Sequence, residues 1–579
     1  MIWDGLSVIA EHGRIVSGVL VLIVASQFLT GSALRLIFGA QLTADDHLSL
    51  GLAGWVMPAS LLSVVYFLRG LEFVLALFLI LTVYIFIRLR LKPSFVSAQG
   101  GPGSKNLTFL LLAFLAISIP LRLVFVSKAA LPSYFDSAAH YLLIKIFMGS
   151  AAIAPANYYH FGFHILAAST ASALQADIAG IMLILGQMIL AIMPISVFFL
   201  IRRETQSNMA GAFAVSLAAF GWDMPAHAVN WGKYPALMSL GLIPFALSLV
   251  YLLVQTKNIA PRGRQWAVYG LIGLSVLNAG FAHSRSLIVL ALALGAWIIS
   301  AWRQKLSPPY QWFILSAVFV FIALEIIFIQ GQPVFDPLFD PYLRKGIWIT
   351  VFVLALSIFA LRTYPQFTFA CVLAVCFLLG SLFIPIRIPG YGALTLLDRP
   401  FVEMILFLPL SLLGGLGLAG LAPPRLRQAV CLLGIGAIMM HAFTTYDPYP
   451  SDCCVIAGND DLAAMGWMDD HLPAKARIGV SSAGMNVLAS DALEGYAGGD
   501  AGIWIAPLID RRTILLPYNL DFNQRAALDM LCRRRVSHLY VGEIGQTFDR
   551  ARLSAHVEWY KPLLSMPRAK VYKVVGCRE

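Results

Sequence analysis

From Ser17 to Phe443 the chain is a succession of apolar runs, each about 20 residues long, separated by short polar connections. At 1.5 Å per helical residue such a run matches the hydrocarbon core of a bilayer. The pattern predicts membrane spans near 17–38, 49–68, 71–89, 107–126, 178–201, 209–222, 236–254, 266–281, 286–302, 311–329, 346–361, 366–384, 401–421 and 428–444, about 14 in all. The stretch from His160 to Gln175 is apolar but short. A full crossing there would invert every later loop, so it is read as a re-entrant or interfacial helix lining a polar cavity. After Tyr446 the pattern changes to ordinary charge density with alternating helical and strand-like stretches. Asn459 to Leu472 reads as a helix with Asn459 or Asp460 as its N-cap, and Arg477 to Ser481 and His538 to Val541 read as buried strands. The expected fold is an all-α polytopic transmembrane domain with a small C-terminal extracytoplasmic α/β domain. Residues 1–104 form extra N-terminal spans and a basic linker, 105–446 the main membrane domain, and 447–579 the soluble domain.

Composition agrees with this pattern. Hydrophobic residues make up 59% of 579 positions and charged residues only 12%, too few to cover a water-facing surface. Mean hydropathy is +0.78. The net charge of +11 does not point to nucleic acid, because the basic residues sit as pairs in short loops. These are Arg88, Arg90, Lys92 and Lys105 around a Gly/Pro/Ser-rich linker, then Arg202 with Arg203, and Lys257 with Arg262 and Arg264. Arg303 with Lys305, Arg362, and Arg425 with Arg427 complete the set. Alternation along the spans puts them all on one side, opposed there only by Glu204. Short basic loops stay cytoplasmic, so the tail is expected outside. Asp4, Glu11 and Arg14, with no small-residue cleavage site after the first apolar run, argue against a cleaved signal peptide. Of seven cysteines, Cys371, Cys376 and Cys431 fall in apolar runs. Cys453, Cys454, Cys532 and Cys577 belong to the tail, where one or two disulfides of unspecified pairing are expected.

The loops opposite the basic ones carry the candidate chemistry. Asp136 and His140 lie four apart and share a helix face. Asp136 is either a helix cap or a general base that accepts a hydroxyl proton, and His140 would orient it or touch a phosphate. Pro155 to His164 contains Tyr158, Tyr159, His160 and His164, without the His-Glu-x-x-His spacing of a metalloprotease. Trp222 to Pro235 contains Asp223, His227, Asn230, Trp231 and Lys233, more polar than an aromatic interfacial belt requires. His283 and Arg285 form a tight turn between two spans, and Asp398-Arg399-Pro400 opens another. Each arginine alone could snorkel to headgroups. Together, Lys233, Arg285, Arg387 and Arg399 suit a phosphate at headgroup depth, because guanidinium forks hold phosphate oxygens bidentately.

Around Phe135-Asp136-Ser-Ala-Ala-His140, the following Tyr158-Tyr-His-Phe-Gly-Phe-His164 stretch, and the tail segments Trp467 to Ile478 and Gly495 to Trp504, the chain resembles the GT-C superfamily of polytopic glycosyltransferases. The likeness covers the layout of 105–579 and leaves the three N-terminal spans outside. A second acidic motif such as Asp-x-Asp is missing. The resemblance implies transfer of a sugar from a polyprenyl-phosphate donor to an extracytoplasmic glycan, lipid or protein. Asp136 and His140 would be catalytic, and Lys233, Arg285, Arg399 and Arg387 would hold the donor phosphate. Tyr158, Tyr159, His160, His164, Asp223, His227, Trp231 and His283 would line the substrate site. No cofactor is called for; a divalent metal is not indicated. The expected location is a bacterial inner membrane. Two other classes stay open: a transporter or flippase for a lipid-linked or anionic substrate, with Glu325 its main in-span acid, and a non-catalytic envelope assembly protein.

Overall fold

The computed structural model describes residues 2–39, 42–91, 104–149, 160–256, 262–333, 335–388, 392–485 and 495–577. Tyr158 and Tyr159 lie outside the described residues. Among those described, ten helices are long and apolar enough to cross a membrane, and up to twelve if each of two bent pairs counts as one span. The pairs are Asp45–Ala53 with Val56–Arg69, bent by 51°, and Pro337–Leu343 with Ile347–Thr363, bent by 78°. The two other expected spans correspond to Asn208–Phe220, with 13 residues, and Arg262–Ala282, with 21. Thirteen residues cover about 20 Å, short of a bilayer core of about 30 Å. The Arg262–Ala282 helix is long enough but is diluted by Gln265 and Asn278. The stretch beginning at His160 becomes the helix Gly162–Leu174, 13 residues long and buried along most of its length.

The way these helices are covered fits a lipid solvent. The most apolar 18 residues of Ile178–Thr205 are all buried inside the bundle, whereas those of Pro308–Gln330, with mean hydropathy 2.7, are only 17% buried. Its Phe319, Phe321, Leu324, Ile327 and Phe328 face outward. In water that surface would be a large apolar liability; against acyl chains it costs nothing.

Charged groups gather at the two ends of the bundle. At one end Arg202 and Arg203 form ion pairs with Asp46, and Arg202 also lies 3.7 Å from Asp45. Glu204 accepts a hydrogen bond from the Tyr251 hydroxyl there at 2.7 Å. The basic loops are therefore opposed by Asp45 and Asp46 as well as Glu204, a counterweight that counting along the chain overlooked. At the other end the C-terminal domain caps the bundle. The N-terminal helix Ile2–Glu11 reaches the same end, where the Tyr449 hydroxyl donates to Asp4 at 2.5 Å.

Among the described residues the C-terminal domain is built on a six-stranded mixed sheet. Arg477–Met485 pairs with three strands, parallel to Arg512–Pro517 and His538–Val541 and antiparallel to Gly495–Gly498. Lys570–Val574 pairs antiparallel with both His538–Val541 and Tyr560–Ser565. The expected helix spans Asn459–His471, but its N-cap is Gly458, whose N–H donates to Asp461 in the first turn at 2.8 Å. Asp461, not Asn459 or Asp460, supplies the capping oxygen, because only a side chain at that position reaches back to the preceding N–H. Cys532 pairs with Cys577 and Cys453 with Cys454.

One buried carboxylate ties this sheet to its loops. Asp500 accepts from Gly502 N–H at 2.9 Å and Gly542 N–H at 3.0 Å, and burial pushes its carboxyl up to about 7 against these two donors. Native Asp500 therefore keeps its proton from about pH 3.8 to about pH 7, where the unfolded chain has lost it. Its contribution is full below that window and declines as pH rises through it. Asp500→Asn should flatten this decline in melting temperature. It should also destabilise the domain by about 1–3 kcal/mol, since the amide nitrogen would face a backbone N–H. Thermal unfolding of the purified protein at several pH values checks both expectations.

Candidate functional site

The helix Phe135–Phe147 joins the two domains and divides its surface between them. At 100° per residue, Asp136 and His140 lie on one side while Ala138, Tyr141 and Lys145 lie on the opposite side. The second set docks the C-terminal domain. Lys145 Nζ pairs with Asp510 at 2.7 Å, Tyr141 meets Trp504 edge to face at 5.7 Å, and Ala138 joins the Trp504 core cluster. The first set faces the membrane domain.

Asp136 lies in the first helical turn, but Tyr134 is the N-cap and makes no side-chain cap bond. Lys233 Nζ donates to Asp136 Oδ2 at 2.5 Å, with the two side chains 31% and 25% exposed. Among the described residues Asp136 bonds no backbone amide, so the cap reading of this residue has no geometric counterpart. Two backbone features permit the pair. Gly232 has φ +64°, and a Cβ there would fall 2.5 Å from Ser137 Oγ, so only glycine lets the Lys233 loop approach this closely. Tyr134 has φ +69°, a conformation costing about 1–3 kcal/mol outside glycine. Its N–H donates to Cys454 O at 2.9 Å, so the tail holds the strained residue in place.

Behind the carboxylate lies a group of four histidines. His140 Nδ1 is 3.0 Å from His164 Nε2, and His140 also bonds the Gly232 backbone. The ring centroids of His160 and His283 lie 4.2 Å apart with their planes tilted by 55°, and the His283 ring lies 4.9 Å from that of Phe401. Gly162 allows this approach, since a Cβ there would meet the Ala282 backbone at 2.9 Å. Burial lowers His140 to about 3, aided by the Lys233 charge and His160. Burial also lowers His160 to about 3, aided by His164 and Arg285, and pushes His283 well down. At neutral pH these are uncharged imidazoles. They can orient and hydrogen-bond, but they add no positive charge for a phosphate. His140 thus bridges His164 and the Lys233 loop, a positioning geometry.

The cations flank this group. Arg285 donates to Asp398 at 2.6 Å, with both side chains about a quarter exposed. Asp398 also caps the next helix by accepting from Phe401 N–H at 3.1 Å. Arg399 is 3.9 Å from Glu403 and, with Lys233 and Asp136, acts electrostatically on the Tyr134 phenol. Asp136, Lys233, Arg285, Arg399, His140, His160, His164 and His283 therefore converge. Arg387 stands apart, exposed on the hairpin Pro385–Ile388 with Gly392–Thr395. Asp223, His227 and Trp231 form a neighbouring group. Lys345 Nζ lies 3.8 Å from Asp223, and the His227 and Trp231 rings meet edge to face at 5.4 Å.

Sequence reading missed Tyr134 and the neutralising roles of Lys233 and Asp398. A tyrosine in a loop has no pattern that marks it. The dipeptide Asp398-Arg399 was legible, but its aspartate serves an arginine 113 positions earlier.

A family profile described as "Family of unknown function (DUF6541)" matches residues 48–342, just over half of the chain. No curated protein matches it.

Proposed function

The chain belongs to the DUF6541 family, and from that premise we propose that it is a membrane glycosyltransferase drawing its sugar from a polyprenyl-phosphate donor. The observation that carries this reading is the Asp136–Lys233 pair, with Arg399 near the same Tyr134 phenol and Arg285 beside the adjoining His160, at one end of the bundle. An apolar cavity runs below these cations. Val289, one turn beyond Arg285, and Ile405, beyond Arg399, line it with Trp297, Phe367 and Leu378. A phosphate at the cations would leave its hydrocarbon tail in that cavity. In the resting pairs Asp136 is bound to Lys233, and Arg285 to Asp398. An arriving phosphate would take both cations from their carboxylates and free Asp136.

The reaction is a single displacement. The acceptor oxygen attacks the anomeric carbon and passes its proton to Asp136, while the bond from that carbon to the phosphate oxygen breaks. Polyprenyl phosphate leaves, and Lys233, Arg285 and Arg399 stabilise the charge growing on it. The four neutral histidines hold the Lys233 loop and the sugar. Transfer of radiolabel from a lipid-linked sugar by the purified protein tests the assignment; no transfer to any glycan, lipid or protein acceptor would sink it.

The site is proposed to face outward, in a bacterial inner membrane, because the loops bearing Arg202, Lys257, Arg303 and Arg425 are short and basic. Single cysteines introduced between Ser482 and Ser490 should react with an impermeant reagent on intact cells, and those between Lys257 and Arg264 should not. The reverse pattern would turn the protein over.

A transporter is the second reading. It is favoured by Glu325, a carboxyl buried within the Pro308–Gln330 span beside Cys376. Uptake of a lipid-linked substrate into vesicles, lost in Glu325→Gln, would establish it in place of transfer.

A further inference from the structure

The loop that holds Tyr134 carries a second constellation, which the proposed transfer reaction does not use. Cys453 and Cys454 form a vicinal disulfide, and a ring nitrogen of His227 and both sulfurs lie within 4.8 Å of one another. Cys453 is exposed, His227 half-buried and Cys454 buried, so the trio has an outer mouth and an inner wall. Asn230 braces the two halves. Its Oδ1 accepts the Ser451 N–H at 2.7 Å, and its Nδ2 is 3.4 Å from His227 Nδ1. Asp223 and Asp447 flank the ring, with Lys345 paired to Asp223.

We propose that His227, Cys453 and Cys454 form a binding site for a thiophilic d10 cation, Zn(II) or Cu(I), that opens when the vicinal disulfide is reduced. In the disulfide each sulfur has spent its thiolate, and the pair cannot ligate. A dithiol reductant supplies two electrons and two protons, breaks the S–S bond and is itself oxidised to a disulfide. The two cysteine thiols then lose their protons on metal binding. Two thiolates and an imidazole are a soft donor set suited to these ions. Three protein ligands leave a fourth position of a tetrahedral zinc centre open. The required movement is small, because the donor atoms already lie together. The metal would also act on the transferase site, since Cys454 O is the acceptor for the strained Tyr134 N–H.

The full chain in detergent, reduced with a phosphine and freed of it, would be titrated with Zn(II), and in a separate series with Co(II) as a spectroscopic reporter. The expected result is one bound metal per reduced chain, with thiolate-to-cobalt charge-transfer absorption, and none in the oxidised chain. Affinity should fall at least about tenfold in His227→Ala and in Cys453→Ser, whose exposed side chain leaves folding intact. The double variant Cys532→Ser/Cys577→Ser should bind as wild type, separating this site from the other disulfide. No binding by the reduced chain, equal binding by the oxidised chain, or undiminished binding in both His227→Ala and Cys453→Ser would overturn the proposal.

Discussion

Asp136→Asn should yield a folded, inserted protein whose sugar transfer is slower by about two decades or more, the loss expected on removing a general base. Asparagine keeps the size of the side chain and one acceptor oxygen but cannot take a proton. The structural cost should be small. The partner, Lys233, is about a third exposed, and a partly solvated ion pair contributes at most about 1 kcal/mol. The cap explanation would predict near-normal activity, since asparagine caps as well as aspartate. The measurement is transfer rate on purified protein, with thermal stability alongside. His140→Ala should hurt less, because His140 bridges His164 and Gly232 and holds the Lys233 loop from behind. A stable and fully active Asp136→Asn protein would falsify the catalytic assignment and bring the transporter and assembly readings forward.

Arg285→Ala and Arg399→Ala should each weaken donor use by one to two decades while acceptor saturation changes little. Losing one charged hydrogen-bonded contact costs about 1.5–3 kcal/mol. Lysine should rescue only in part, because it cannot present two parallel N–H groups to a phosphate. The Arg285–Asp398 pair sharpens the test. If phosphate and Asp398 compete for the same guanidinium, Asp398→Asn should leave donor affinity unchanged or raise it. Asparagine still accepts the Phe401 N–H, so the helix start at Arg399 is preserved. Wild-type donor saturation in both alanine variants would mean that the phosphate is held elsewhere. A collapse of donor use in Asp398→Asn would mean that the pair is structural.

Much of this architecture is local and so was readable along the chain. A run such as Pro308–Gln330 is apolar for long enough to cross a bilayer wherever it sits, and the i,i+4 spacing of Asp136 and His140 puts them on one face of any helix. The change of pattern after Tyr446 precedes the C-terminal sheet; His538–Val541 appears as its short apolar run predicted, and the expected strand Arg477 to Ser481 continues to Met485. Tertiary structure alone decided which charges neutralise one another. Lys233 meets Asp136 across 97 positions and Arg285 meets Asp398 across 113. It also set His140 against His164, and brought His227 to Cys453 and Cys454. The reason lies in the solvent. In a bilayer an apolar stripe does not tell a helix which neighbour to choose, because lipid is as apolar as leucine. The choice falls to close approaches such as Gly162 on Ala282 and Gly232 on Ser137, set by backbone shape and not by hydrophobic period.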